Sequence, residues 1–268
     1  PTGITALEEV EAALSYPPNN AILGSNSLRW PIPVGLWVYN NFEKYKDKKG
    51  LGRWIYDHMA ANPVLVSNVN PATRVKIATN LLRDYGFFNG SVSYEEIPQK
   101  NPRKAKLSYH IDMANPYFLD SIAYLKYPAK ADSLIQASRK QSLLKKGDQF
   151  NVLNLEAERQ RIATLFQNNG FYYFRPEYIE FLADSTITPR EIALRMIVAS
   201  NTPKSGLKKY LTGDVTINIY RNRGGGTPDT IPTSRGTIVL MQPSRLRTEL
   251  IPECVTFRTG KVFSVRDM

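Results

Sequence analysis

Few side chains in this sequence could do chemistry, and their spacing argues against it. His58 and His110 are the only histidines. A histidine exchanges protons near neutral pH and ligates zinc, but either use needs partners; no HExxH, no GxSxG and no cysteine–histidine cluster accompanies them. His58 falls on a predicted helix and His110 on the polar side of a predicted strand, positions that suit surface or packing roles. The carboxylate pairs Glu8-Glu9 and Glu95-Glu96 are sequence neighbours, which fits solvated faces better than the spaced acid and base of a hydrolytic site. Cys254 is the single cysteine; it excludes an intramolecular disulfide and reads as structural. Gly224-Gly225-Gly226 with Thr227-Pro228 reads as a mobile loop, because no lysine-bearing helix follows as a phosphate cradle requires. The sequence therefore predicts no catalytic residue, no metal site and no cofactor.

The 268 residues are 42% hydrophobic and 11% aromatic, enough to pack cores and unlike a disordered chain. Their formal net charge is +11. That charge is scattered through loops (Lys44 to Lys49, Lys100 to Lys106, Lys145-Lys146, Lys208-Lys209), and no recognition helix, zinc knuckle or RNA-recognition signature goes with it. Nucleic acid is not an expected partner; an anionic membrane surface is at least as good a counterpart. No apolar run approaches the ~18 residues of a membrane-spanning helix.

The elements repeat. Setting Gly86 over Gly170 without gaps also sets Val69-Asn70 over Leu153-Asn154, Leu81-Leu82 over Leu165-Phe166, Phe87-Phe88 over Phe171-Tyr172 and Tyr94 over Tyr178. The two asparagines are predicted N-caps. Val75, Ala78, Leu82 and Tyr85, and again Ile162, Leu165 and Phe166, give each following helix one apolar stripe. Gly86 and Gly170 are predicted to close those helices in the left-handed conformation, and the aromatic residues after them to open a strand. A third copy begins downstream: Tyr210 falls over Tyr117 and Val215 over Ile122, and FRTGKVFSV (257–265) falls over LKKGDQFNV (144–152), glycine over glycine.

In chain order, Thr5-Ala6-Leu7-Glu8 predicts a capping box ahead of a helix with Leu7, Val10 and Leu14 on one face, ended by Pro17-Pro18. Asn19 to Gly50 reads as an irregular inserted segment. A helix is predicted from Leu51, with Trp54, Ile55, His58 and Met59 at helical spacing. Strands are predicted at Phe87 to Tyr94 and Lys106 to Met113, the second alternating cleanly, and at Tyr117 to Leu125. A helix follows at about Asp132 to Lys140, then strands at Phe171 to Leu182, Glu191 to Val198 and Tyr210 to Tyr220. The implied units are 1–114 with the insertion 19–50, 115–202, and a truncated third at 203–268.

This order, with its Lys-Lys-Gly turn at 145–147, its Thr-Gly-Lys turn at 259–261 and its helices ending in Gly-Phe, resembles the POTRA (polypeptide-transport-associated) domain. The array is similar to the periplasmic arm of BamA/TamA-family outer-membrane proteins, the surface antigens. Leu144 to Val152, Arg161 to Tyr173 and Arg83 to Ser93 carry the resemblance most specifically, while YPPNNAILG (16–24) followed by LWVYN (36–40) looks like the TamA-like branch. The resemblance implies an α+β fold of tandem units, each a three-stranded mixed sheet on two helices. The first unit departs from that pattern in showing no opening strand, and whether one precedes Pro1 is left open; the resemblance implies a chain that continues past Met268 through the rest of the third unit into a membrane barrel.

The function the resemblance implies is non-catalytic: a periplasmic binding arm in protein assembly or translocation at the outer membrane, engaging unfolded outer-membrane protein segments or periplasmic partner proteins. It places the strand after the second helix at a sheet edge, where an extended peptide could pair by β-augmentation. The candidate edge residues are Phe87, Val92, Tyr94, Tyr172, Phe174, Tyr178 and Glu180. Pro176, which cannot donate a ladder bond, would oppose such pairing. The alternatives are a spacer that touches peptidoglycan or anionic lipid through basic loops, and a hydrolase whose site carries no familiar motif.

Overall fold

The computed structural model describes every residue except 1, 22–27, 102–103, 220–228, 234–235, 241–255, 257 and 268. The chain divides into two compact units, 1–117 with 149–151, and 118–148 with 152–268. Cys254 and Gly224 to Gly226 lie outside the described residues.

In the first unit, helices α1 (Thr2–Leu14) and α5 (Pro71–Asp84) pack together and α5 packs against strand β1 (Ser91–Pro98), which pairs antiparallel with β2 (Ala105–Asp112). The core joins Ala6, Val10 and Leu14 of α1 to Ala78 and Leu82 of α5, with Tyr85, Phe87 and Val92. Arg74 closes the end of α1 by donating to the carbonyls of Ala13 at 2.7 Å and Ser15 at 3.0 Å, two groups that helix geometry leaves without partners. Tyr109, Ile111 and Met113 pack on the core while His110 and Asp112 face water, as their alternation predicts.

Three expectations for this unit change. The capping box does not form at Thr5, because α1 already runs from Thr2. Asn70 is left-handed (φ 49°) with no side-chain capping bond; a short helix α4 (Val66–Val69) ends there and Pro71, pre-set in φ, opens α5 instead. The helix predicted from Leu51 forms as α3 (Leu51–Met59), but the insertion before it is not irregular throughout, since Val34–Phe42 forms α2. Its neck is closed by an amide clamp, with the Asn19 side chain donating to the Val64 carbonyl at 3.0 Å and accepting from the Val64 N–H at 2.7 Å.

In the second unit, β3 (Phe118–Leu125) runs parallel to β5 (Glu191–Val198), and β4 (Ile179–Asp184) pairs antiparallel on the other side of β5. Helices α6 (Ala129–Ala137) and α7 (Val152–Gln167) cover this sheet through Ala131, Ile135, Ile162, Ala163 and Phe166. A second sheet has the same order, β6 (Thr216–Ile219) parallel to β8 (Gly236–Leu240), and β7 (Asp229–Thr233) antiparallel to β8. Asn154 is not a cap, since α7 begins at Val152.

α7 also buries a charge. Glu158 is fully buried and accepts from Nη2 of Arg161 at 2.7 Å, Nε of Arg161 at 2.8 Å, the Leu143 N–H at 2.9 Å and the Tyr124 hydroxyl at 3.0 Å. Burial by itself pushes the carboxyl pKa up. The Arg161 fork and the Leu143 N–H outweigh it, so the pKa lies below the ordinary carboxylate value.

The helix-ending glycines behave as predicted and do more. Gly86 (φ +83°) and Gly170 (φ +97°) are left-handed. Phe87 N–H reaches back to the Leu82 carbonyl at 2.9 Å, and Phe171 N–H to the Phe166 carbonyl at 3.0 Å, the signature of a Schellman cap. In the first unit the Gly86 carbonyl then accepts from Tyr117 N–H at 2.9 Å, and the Tyr117 carbonyl from Phe150 N–H at 2.9 Å. In the second unit the Gly170 carbonyl accepts from Tyr210 N–H at 2.8 Å, and the Tyr210 carbonyl from Phe263 N–H at 3.1 Å. The aromatic residues after each glycine complete the joint instead of opening a strand. Phe87 and Phe171 enter the cores, whereas Phe88 meets Tyr117 and Phe150 (ring centroids 5.1 Å each) and Tyr172 meets Phe263 at 4.7 Å.

Two stability predictions follow from these contacts. Glu158→Ala should cost about 3 kcal/mol or more, because it leaves a largely buried guanidinium unpaired; Arg161→Met in the same chain should recover part of the loss in urea unfolding. The lowered carboxyl pKa means that this stabilisation is present above the unfolded carboxyl pKa of about 4.3 and fades as pH falls through the lower folded value. Gly86→Ala and Gly170→Ala should each lose about 1 kcal/mol to the left-handed backbone. Gly86→Ala should lose more, since its new Cβ would stand 2.8 Å from the Phe150 backbone carbonyl, whereas at Gly170 the nearest obstacle is a Val262 methyl at 2.9 Å. Hydrogen exchange should show faster exchange at the Tyr117 and Phe150 amides in Gly86→Ala; unchanged protection there would contradict the joint.

Candidate functional site

The sheet β3-β5-β4 has two outer edges, and they differ. On β3 the outer side is occupied at its start: Gly147 N–H donates to the Leu119 carbonyl at 2.7 Å and Leu119 N–H to the Asp148 carbonyl at 2.8 Å. Further along, Arg139 reaches the Ile122 carbonyl at 3.4 Å. On β4, among the described residues, a strand neighbour exists on one side only.

Which groups of β4 face outward follows from its register. Tyr178 stands opposite Ala199, and Ala199 N–H donates to the Tyr178 carbonyl at 2.9 Å, so Tyr178 is on the bonded side of the antiparallel alternation. Glu180, Leu182 and Asp184 share that side and bond to β5. Ile179, Phe181 and Ala183 then direct their backbone N–H and C=O groups away from β5. The rim beside them is polar: Glu180 is exposed, and Asp184, held below the usual carboxylate range chiefly by the Thr186 hydroxyl and N–H, closes the strand end. Arg159 lies over the Phe181 ring at 5.2 Å.

The predicted edge residues distribute unevenly over this geometry. Glu180 lies on β4. Val92 and Tyr94 lie on β1, the former buried and the latter exposed with its ring 6.5 Å from that of Tyr109. Phe87 and Phe174 are not strand residues but core, 4% and 0% exposed. Tyr172 lies outside any strand, and Tyr178 ends a short 3-10 turn begun by Pro176. Two consecutive turns thus occupy the segment predicted as the first half of a strand, because the left-handed Gly170 redirects the chain into the core before it extends. Pro176 precedes β4 and removes no donor from it.

Tyr172 instead lines an open cleft of about 410 Å³ in the second unit, with Tyr173, Tyr210, Leu211 and Phe263. Sequence reasoning missed Ala183 and Phe181 as the outward-facing positions; the alternation in the predicted strand would have found them had its start been known. Among the described residues, no group of three or more histidine, cysteine or acidic side chains is placed to hold a metal ion, and no helix is long and apolar enough to cross a membrane. His58 is exposed and stacks on Trp54 at 4.9 Å, and His110 is exposed 4.0 Å from Glu95.

No family model and no characterised protein matches the chain by sequence. Among solved structures it is similar to POTRA domains 3 to 5 of Haemophilus influenzae BamA, with 10% identity, a TM-score of 0.37, and coverage of 73% of this chain and 64% of that one. It is also similar to BamA from Haemophilus ducreyi lacking POTRA domains 1 to 3 (12% identity, TM-score 0.35), covering 66% of this chain and 28% of that one. The N-terminal domain of Omp85 from Thermosynechococcus elongatus is a third, at 15% identity and a TM-score of 0.24, with 81% of this chain and 75% of that one covered. The chain thus spans less than two thirds of the two BamA chains.

Proposed function

We propose that this chain is a non-catalytic binding arm on the periplasmic side of a bacterial outer membrane, and that β4 is where it holds extended segments of unfolded outer-membrane proteins or of periplasmic partners. The observation that carries this reading is the asymmetry of the sheet edges: β3 is covered by the 145–148 turn, while among the described residues β4 is paired on one side only. An incoming strand would bond to the outward N–H and C=O groups of Ile179, Phe181 and Ala183. Main-chain pairing demands little of the client's sequence, which suits a handler of many clients. The setting comes from the resemblance of the helix–glycine–aromatic repeats to POTRA modules, and with it the expectation of a following membrane barrel and a role in protein assembly or translocation.

The decisive substitution is Ala183→Pro. Position 183 is exposed and its N–H faces away from β5, so proline there removes an edge donor and no ladder bond. Glu180→Pro serves as the contrast, since it breaks a bond to β5 and should destabilise the unit. With a ten-residue peptide of alternating apolar and polar residues taken from a membrane-barrel strand, Ala183→Pro should weaken binding about tenfold, on the order of 1.4 kcal/mol, with circular dichroism unchanged. Equal affinity for the two chains would remove β-augmentation and leave the basic loops, whose contacts should fade with salt, as the contact surface.

A further inference from the structure

Among the described residues the apolar stripe of α3 buries none of its side chains fully. Leu51, Trp54, Ile55, His58 and Met59 recur at helical spacing, a pattern that normally marks the buried side of a helix. Here Leu51 is 74% exposed, Trp54 54% and Met59 49%. On α2, Val38 is buried but Trp37, its sequence neighbour, is 55% exposed. With Trp30 also half-exposed, all three tryptophans of the chain stand out from this one excursion. Scattered exposed apolar residues need no explanation, but a chain whose every tryptophan is presented to solvent by one excursion does.

The hairpin presents them from a built support. Gly35 lets Ala61 approach so closely that a Cβ would stand 2.6 Å from the Ala61 methyl, and Gly35 also accepts the Ala61 N–H at 3.0 Å. Gly52 seats on the Tyr45 ring, and Tyr39 packs on Tyr56 at 6.0 Å. Between the helices run Lys44, Lys46, Lys48 and Lys49, all exposed, with Arg53 in the first turn of α3. Against these five cations the hairpin carries Glu43, Asp47 and Asp57, and Asp57 is engaged by Arg53 at 3.2 Å.

Tryptophan beside lysine discriminates between partners. Protein interfaces favour tryptophan but are depleted in lysine, whereas the headgroup layer of a bilayer favours both, the indole at the boundary and the ammonium at the phosphates. We propose that the α2–α3 hairpin is a docking site for an anionic lipid bilayer, with Leu51 and Trp54 entering the interface and Lys44 to Lys49 meeting the lipid phosphates. This goes beyond strand capture at β4, uses a different unit, and stands whether or not that capture occurs.

Because every tryptophan lies in this excursion, intrinsic fluorescence reports on it without a label. The 268-residue chain is titrated with vesicles of phosphatidylcholine containing phosphatidylglycerol and with vesicles of phosphatidylcholine alone, following emission and co-sedimentation together. With the anionic vesicles the emission should shift to the blue and the chain should sediment; with the zwitterionic ones neither should happen. The doubly substituted chain Lys46→Glu, Lys49→Glu, changed only at solvated positions, should bind at least about tenfold more weakly, and Leu51→Ala with Trp54→Ala should abolish the shift while helix content is kept. Sedimentation without any shift in emission would place the contact on other basic loops and overturn the proposal, as would failure to bind anionic vesicles, or a shift saturated only by a protein ligand.

Discussion

Much of this structure depends on one carbonyl in each unit, that of the glycine that follows α5 or α7. Three demands meet there. The helix must stop, which leaves its last carbonyls to be satisfied; the chain must turn left-handed, which glycine does without steric cost; and the carbonyl must then be free to accept from a tyrosine amide further along. At both Gly86 and Gly170 the same order follows, glycine to tyrosine to phenylalanine, in backbone hydrogen bonds of 2.8 to 3.1 Å. A side chain at either glycine would occupy the space the tyrosine and phenylalanine segments use. The residue type is therefore fixed twice, by its dihedral and by its neighbours.

The edges follow from the sheet topology. Placing β5 between a parallel and an antiparallel partner buries it on both flanks, and its Ile192, Leu194 and Met196 are accordingly among the most enclosed side chains. It also makes outer strands of β3 and β4. The 145–148 turn that leads into α7 doubles back on β3, and the segment leading into β4 is used up in the turns that bury Phe171 and Phe174. Among the described residues no strand pairs with the outer side of β4. The opening at β4 is thus a consequence of where the helices sit in the chain order.

Most of the fold was legible where periodicity and register act locally. β5 matches its predicted span, and the three pairs of the internal repeat (Gly86 and Gly170, Tyr117 and Tyr210, Phe150 and Phe263) turn out to be the three members of each joint. What the sequence hid were long-range choices. Asn70 looks like an N-cap, but its backbone is left-handed between two helices, where its side chain has no first-turn amide to meet. Phe171 to Phe174 has strand composition, yet core burial claims its aromatic rings first. Glu158 sits on an amphipathic helix among other charged residues, and only the arrival of Leu143, Ser142 and Tyr124 from elsewhere makes it a buried acceptor. Of the site, Glu180 was placed on the correct strand, while the outward alternation depends on the position of Ala199 across the ladder.

The stripe on α3 is the most informative mismatch, because pattern and structure are each sound. Helical spacing predicts a helix over Leu51–Met59 and a helix forms; the same spacing predicts a buried face, and among the described residues no side chain of the helix is fully buried. A nine-residue helix is too short to persist through its own hydrogen bonds, so something else must hold it. That support comes from its other side, where Gly52 meets Tyr45 and Tyr39 meets Tyr56, and from the Asn19–Val64 clamp that draws the two ends of the excursion together. The apolar residues are therefore not needed for the hairpin to fold. Keeping Leu51, Trp54 and Met59 in water costs solubility and contributes nothing to the core, and that is the balance expected of side chains whose burial happens against a second surface.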